Sequence, residues 1–158
     1  MELYLLRHGI AYDSEAWAGK SDESRPLTNT GTAAMEREAN YLKSARIKID
    51  GVLSSPLARA RQTAQIVATA FGIELRESAL LKPGFNVKAL EVLLEETAQF
   101  EHLMLVGHAP DFSEVIAHVI GGGQVEMPKG GFARIHMLHR SPPRGTLYSL
   151  LPPEALGA

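Results

Sequence analysis

Two histidines and two arginines in this chain are spaced so that a parallel sheet could bring them together. Leu3-Tyr4-Leu5-Leu6 is an apolar run that ends abruptly in Arg7-His8-Gly9. A second apolar run, His102 to Val106, ends in Gly107-His108-Ala109-Pro110. Between them, Arg59 follows a short apolar run, Val52-Leu53-Ser54, by a few residues. Two arginines beside two histidines suit a phosphoryl group in transfer. Its negative charge spreads over the equatorial oxygens, so catalysis is mostly positioning and charge stabilisation. The planar arginine fork makes paired hydrogen bonds to such oxygens, which a lysine cannot. On this reading His8 is the nucleophile and Arg7 a phosphate clamp. A neutral imidazole, with a reference pKa of about 6.5, attacks phosphorus without first losing a proton. Arg59 and a protonated His108 add donors, as does the free backbone N–H of Ala109 at the start of a helix. The scheme needs no metal and no cofactor, and no cluster of metal ligands is visible.

The elements that must hold these residues follow from periodicity. Residues 2–7 read as a strand, and 10–27 as a long polar loop bordering the nucleophile. Thr28 caps a helix running to Ala45, with Gly31 as an unfavourable residue early in it. Val52 to Ser54 is a second strand, and Ser55-Pro56 reads as the start of the next helix. That helix stops at Gly72. Ile73 to Leu75 is a third strand, 78–86 a loop, and Val87 to Ala98 a helix. His102 to Val106 is the fourth strand. A helix carrying Phe112, Val115, Ile116, Val119 and Ile120 ends at Gly121-Gly122-Gly123. Phe132 to Leu138 and Thr146 to Leu150 pair across a turn at Ser141 to Gly145, and 152–158 is expected to be loose.

Strands alternating with helices, with unbroken apolar strands, predict an α/β fold. The expected architecture is a three-layer α/β/α sandwich. Its central sheet has about six strands, mostly parallel, with an antiparallel C-terminal strand. In such sheets the site lies beyond the carboxyl ends of the strands. Arg7, His8, Arg59 and His108 converge there if the first and fourth strands are neighbours.

Bulk properties bound the function. A chain of 158 residues suits one domain, residues 1–158. A formal charge of -2 gives no basic surface for nucleic acid or an anionic membrane. The absence of cysteine excludes a disulfide scaffold, a thiolate metal site and a cysteine phosphatase. No apolar run approaches about 20 residues, the length of a membrane span, and no signal peptide is visible. A cytoplasmic location is the expectation. Gly19-Lys20-Ser21 resembles the end of a P-loop, but position 14 is serine and no strand leads into it. His118 reads as a surface residue, and His136 and His139 as too isolated for a metal site.

Arg7-His8-Gly9, the run Ser54-Ser55-Pro56-Leu57-Ala58-Arg59-Ala60-Arg61-Gln62-Thr63-Ala64, and Gly107-His108 resemble the histidine phosphatase (phosphoglycerate-mutase-like) superfamily. The resemblance spans essentially the whole chain. Short length, Arg25-Pro26-Leu27-Thr28 with Gly31, and Ile10-Ala11 after the first motif are similar to the SixA-type protein phosphohistidine phosphatases. The resemblance implies that His8 is phosphorylated transiently. It implies that Arg7, Arg59 and His108 bind the phosphoryl group, and that the Gly9 carbonyl orients the imidazole. Water then releases phosphate.

One departure bears on the substrate. Larger members insert a segment with a carboxylic proton donor after the third strand. Here the 76–87 connection is short, and Glu77 is its only carboxylate. Glu77, Asp22 and Glu23 are the candidates for a donor. A phosphoester leaves as an alkoxide of high pKa and needs an acid, whereas the nitrogen of a phosphoramidate is protonated more easily. A missing donor therefore favours phosphohistidine on a signalling or phosphotransfer protein, such as a histidine phosphotransfer domain. The alternatives are a phosphatase for a small phosphoester using the same residues, and a catalytically silent module binding phosphate or a phosphate-mimicking anion.

Overall fold

A computed structural model describes residues 1–157. The sheet contains β1 (Glu2–Arg7), β2 (Gly51–Ser54), β3 (Leu75–Glu77), β4 (His102–Gly107), β5 (Phe132–Arg140) and β6 (Pro143–Leu151). Their spatial order is β3-β2-β4-β1-β5-β6. The first four strands are mutually parallel, and β5 and β6 are antiparallel. Four helices connect them: α1 (Asn29–Ser44), α2 (Ala58–Phe71), α3 (Val87–Glu96) and α4 (Asp111–Val119).

The unbroken apolar strands are explained by burial on both faces. Leu3, Leu5, Leu53, Leu103 and Leu105 point into one core with Leu90, Leu93 and Leu94 of α3 and Phe112, Val115 and Ile116 of α4. Tyr4, Leu6, Val52, Met104 and Val106 point the other way, onto Ala39 and Leu42 of α1 and Ala60, Ala64 and Val67 of α2. Because side chains alternate across a strand, each strand needs apolar residues at every position. The expected α/β/α sandwich is the observed one, with β5 antiparallel to β1 and the β5–β6 hairpin forming one edge.

Several boundaries differ from the sequence reading, each for a physical reason. Helix α2 starts at Ala58, not at Ser55-Pro56. Ser55 continues the extended chain instead, its N–H donating to Val106 O at 3.0 Å. Strand β3 is displaced to Leu75–Glu77, because Ile73 is consumed in ending α2: its N–H donates to Ala68 O past the left-handed Gly72. The hairpin turn is only Ser141-Pro142, and Gly145 lies within β6. A Cβ at Gly145 would stand 2.7 Å from Ile135 Cγ2, so its bareness serves strand packing rather than a turn. The segment expected to be loose forms a 3-10 turn over Pro153–Leu156, and Leu156 is fully buried beside α1.

Gly31 is likewise explained by proximity. A Cβ there would lie 2.0 Å from the carbonyl oxygen of Ile10, where the loop meets the first turn of α1. Thr28 caps α1, its side chain accepting the Gly31 N–H at 2.9 Å. The 10–27 loop is pinched at its base by hydrogen bonds from Tyr12 N–H to Pro26 O and from Thr28 N–H to Ile10 O. It is filled by its own aromatic pair, Tyr12 stacked on Trp17, with Lys20 over the indole. A long loop closed at the base and packed by its own side chains has a definite shape.

Candidate active site

Strand β4 lies between β1 and β2, and this places the four chemical side chains. Arg7 is in register with Gly107, so His8 and His108 emerge side by side at the carboxyl ends of adjacent strands. Their rings are 5.3 Å apart. Arg59, in the first turn of α2, comes over from the far side of β4. His8, Arg59 and His108 are 7, 5 and 5% exposed.

The nucleophile candidate is held at one nitrogen. His8 Nδ1 lies 2.7 Å from the carbonyl oxygen of Gly9. A carbonyl only accepts, so Nδ1 carries the proton and Nε2 keeps a free lone pair. Gly9 is itself fixed, its N–H donating to Thr63 Oγ1 at 3.2 Å while the Thr63 hydroxyl donates to Arg59 O at 2.8 Å. Thr63 thereby ties α2 to the end of β1. A Cβ on Gly9 would come within 2.7 Å of Met35 Cγ. Burial, reinforced by the nearby His108, Arg59 and Arg7, lowers the His8 pKa to about 3, against a rise from the Gly9 carbonyl. The imidazole is neutral at physiological pH.

His108 differs from the sequence reading in its charge. Burial first, then Arg59, lower its pKa to about 4, so it is neutral rather than protonated. It can still donate. Its Nε2 lies 2.8 Å from Ser55 Oγ, which also accepts the Leu57 N–H at 3.3 Å. With the serine hydroxyl donating to Nε2, the proton of His108 sits on Nδ1, the arrangement that leaves a donor on that nitrogen.

Arg7 Nη1 donates to Met127 O at 2.7 Å. Arg59 Nη1 donates to Asp22 O at 3.0 Å, and Nη2 to Asp22 Oδ2 at 3.2 Å. Among the described residues, Arg7 Nε, Arg59 Nε and His108 Nδ1 are buried without a hydrogen-bond partner. Buried donors without acceptors are costly, and native sites retain them where an acceptor is to be bound. Ala109 stands between His108 and the start of α4.

The three candidate proton donors separate. Asp22 reaches the site through Arg59, while its Oδ1 accepts from Arg25 Nε at 2.8 Å. The Arg25 hydrogen bond, aided by Arg59, holds the Asp22 carboxyl below the usual carboxylate range. Glu23 pairs with Lys82 at 2.9 Å and Glu77 with Arg61 at 3.8 Å, both at the surface. Ser55, Thr63 and Arg25 are contacts that sequence reasoning did not assign to the site. Ser55 reads as a helix cap, and Thr63 enters the sequence reading only as part of the run that resembles the superfamily. Arg25 depends on the loop conformation, its Nη1 donating to Tyr12 O at 2.7 Å.

Residues 3–125 match the profile of the Histidine phosphatase superfamily (branch 1). The chain belongs to this superfamily. An uncharacterized protein of Picosynechococcus is 39% identical over 137 residues, covering 83% of this chain and 82% of that one. Phosphohistidine phosphatase SixA of Escherichia coli is 29% identical over 126 residues, covering 77% and 76%. The structure of the protein histidine phosphatase SixA complexed with tungstate superposes with a TM-score of 0.86 at 25% identity, covering 99% of each chain. Within the superfamily the chain is of the SixA type. No helix among the described residues is long and apolar enough to cross a membrane.

Proposed function

We propose that this SixA-type chain removes the phosphoryl group from phosphohistidine on a signalling or phosphotransfer protein, through a phosphoenzyme on His8 and without a metal. The observation that carries the reading is the trio of buried, unpartnered donors beside a neutral imidazole. Arg7 Nε, Arg59 Nε and His108 Nδ1 supply fixed dipoles and charge where phosphoryl oxygens would lie.

The first step forms a bond from His8 Nε2 to phosphorus and breaks the bond from phosphorus to the substrate imidazole. The departing nitrogen takes a proton from solvent. In the second step water attacks phosphorus, the bond to Nε2 breaks, and the water's proton leaves with the product or to solvent. His8 regains its lone pair. Throughout, the Gly9 carbonyl keeps the proton on Nδ1 and steadies the positive charge that the phosphorylated ring acquires.

Phosphohistidine is favoured over a phosphoester by the state of the carboxylates. Asp22 is held ionised between two arginines, and Glu23 and Glu77 are engaged with surface cations. None is poised as an acid for an alkoxide leaving group. The name of the Escherichia coli relative supports the same substrate class.

The test is to incubate the protein with a phosphohistidine-labelled phosphotransfer domain and, separately, with small phosphoesters, with and without chelator. Hydrolysis of the phosphohistidine domain, unaffected by chelator and abolished in His8→Ala, is expected. Faster hydrolysis of phosphoesters would overturn the substrate assignment, and loss of activity on chelation the metal-free scheme.

A further inference from the structure

One arginine of the site, Arg59, already has an anion on it, supplied by the chain itself. Both partners of the Arg59 guanidinium are atoms of Asp22: its backbone oxygen at 3.0 Å and its Oδ2 at 3.2 Å. The other carboxylate oxygen, Oδ1, accepts from Arg25 Nε at 2.8 Å. One carboxylate thus bridges two arginines at the mouth of the site. The Arg59 side chain is 6% exposed, whereas that of Asp22 is 59% exposed. The cation is buried and its carboxylate partner faces solvent.

We infer that Asp22 is an internal counter-anion of the phosphoryl pocket, competing with a phosphate oxygen for Arg59 and so weakening the hold on released phosphate. The inference rests on Arg59 being a phosphate clamp. Arg7, Arg25 and Arg59 alone would present three positive charges to a dianionic product. A product held too tightly slows turnover, since release limits many enzymes. The Asp22 carboxylate offsets one of these charges. The backbone oxygen of Asp22 aims Arg59 independently of the side chain, so the charge can be removed while that contact remains. The same carboxylate, kept ionised by Arg25, is ill suited to the proton-donor role.

An ion pair whose carboxylate faces solvent shifts an equilibrium by up to about fivefold, and the effect is screened by salt. Calorimetric titration of inorganic phosphate into the wild type, Asp22→Asn, Asp13→Asn and Arg59→Ala tests it. Asp22→Asn should bind phosphate about two- to fivefold more tightly at low ionic strength, with the gain shrinking as salt is raised. Asp13→Asn, which removes the same charge elsewhere on the loop, should not. Unchanged or weaker binding in Asp22→Asn, or an equal gain in Asp13→Asn, overturns the inference. So does a fall in kcat of more than tenfold with unchanged phosphate affinity, which would make Asp22 a proton donor. If Arg59→Ala binds phosphate as well as the wild type, the phosphate-clamp reading itself fails. If Arg59→Ala weakens binding and Asp22→Asn does not strengthen it, only the counter-anion fails.

Discussion

The Oγ of Ser55 lies 2.8 Å from Nε2 of His108, across the ends of β2 and β4. This hydrogen bond favours one tautomer of the neutral imidazole, the one with its proton on Nδ1. Removing the hydroxyl frees His108 to adopt either tautomer, and one of them presents a lone pair to the phosphoryl oxygens. Ser55→Ala should lower kcat by about tenfold, the scale of one neutral hydrogen bond of about 1.4 kcal/mol. Imidazole nitrogen NMR should show the Nδ1–H tautomer of His108 in the wild type and a mixture in the variant. A single unchanged tautomer in Ser55→Ala would remove this role.

The histidine pKa values make a second prediction. Both His8, at about 3, and His108, at about 4, are depressed by burial from 6.5. Their folded values lie below their unfolded values. Their contribution to stability is present above pH 6.5 and is lost as pH falls from there through 4 and 3. An NMR titration should find both rings neutral at pH 5.5. Either ring titrating near 6.5 in the free protein would contradict the buried, neutral site.

Glu38 gives a pH dependence of opposite sign. It is 1% exposed, and neither carboxylate oxygen has a partner among the described residues. Burial pushes its pKa up from 4.5 to about 8. The folded value exceeds the unfolded one, so its contribution is present below pH 4.5 and is lost as pH rises from 4.5 to 8. The slope is about 1.4 kcal/mol per pH unit. Urea unfolding between pH 5 and pH 8 should cost the wild type roughly 3 kcal/mol more than Glu38→Gln. Parallel pH profiles for the two proteins would contradict it.

Gly9 carries a packing prediction. A Cβ at 2.7 Å from Met35 Cγ must push either the methionine or the carbonyl that orients His8. Gly9→Ala should cost about 1–3 kcal/mol by overpacking and should depress activity. Adding Met35→Ala should relieve the clash and restore part of the activity, read as a kcat that recovers relative to Gly9→Ala alone. Failure of the pair to recover would mean that Gly9 matters for another reason.

The positions that the sequence disclosed share a cause. Arg7, His8 and His108 end apolar runs that a doubly covered parallel sheet must bury, whereas the adjacency of β1 and β4 that joins them is a fact of the structure. The four candidate site residues could therefore be picked out from periodicity together with the superfamily resemblance. What stayed hidden depends on contacts between segments distant in the chain. Asp22 and Arg59 are 37 residues apart and meet only because the 10–27 loop closes on itself. Ser55-Pro56 carries the local signature of a helix start, and nothing in its neighbours reveals a histidine 53 residues away. Gly31 and Gly145 look like breakers, yet their role is to let backbone or a side chain approach closely. The neutral state of His108 in the free site is hidden in the same way, because burial outweighs its proximity to Asp22.

The central claim is that His8 is phosphorylated at Nε2, since Nδ1 is committed to Gly9 O. Rapid quenching of the protein with a labelled phosphohistidine domain, followed by mass spectrometry and phosphorus–nitrogen coupling in NMR, reads this directly. The account predicts one acid-labile phosphate on His8 at Nε2, formed and lost within the turnover time and absent in His8→Ala. Phosphate on another residue or on Nδ1, or turnover with no phosphoenzyme, would contradict it.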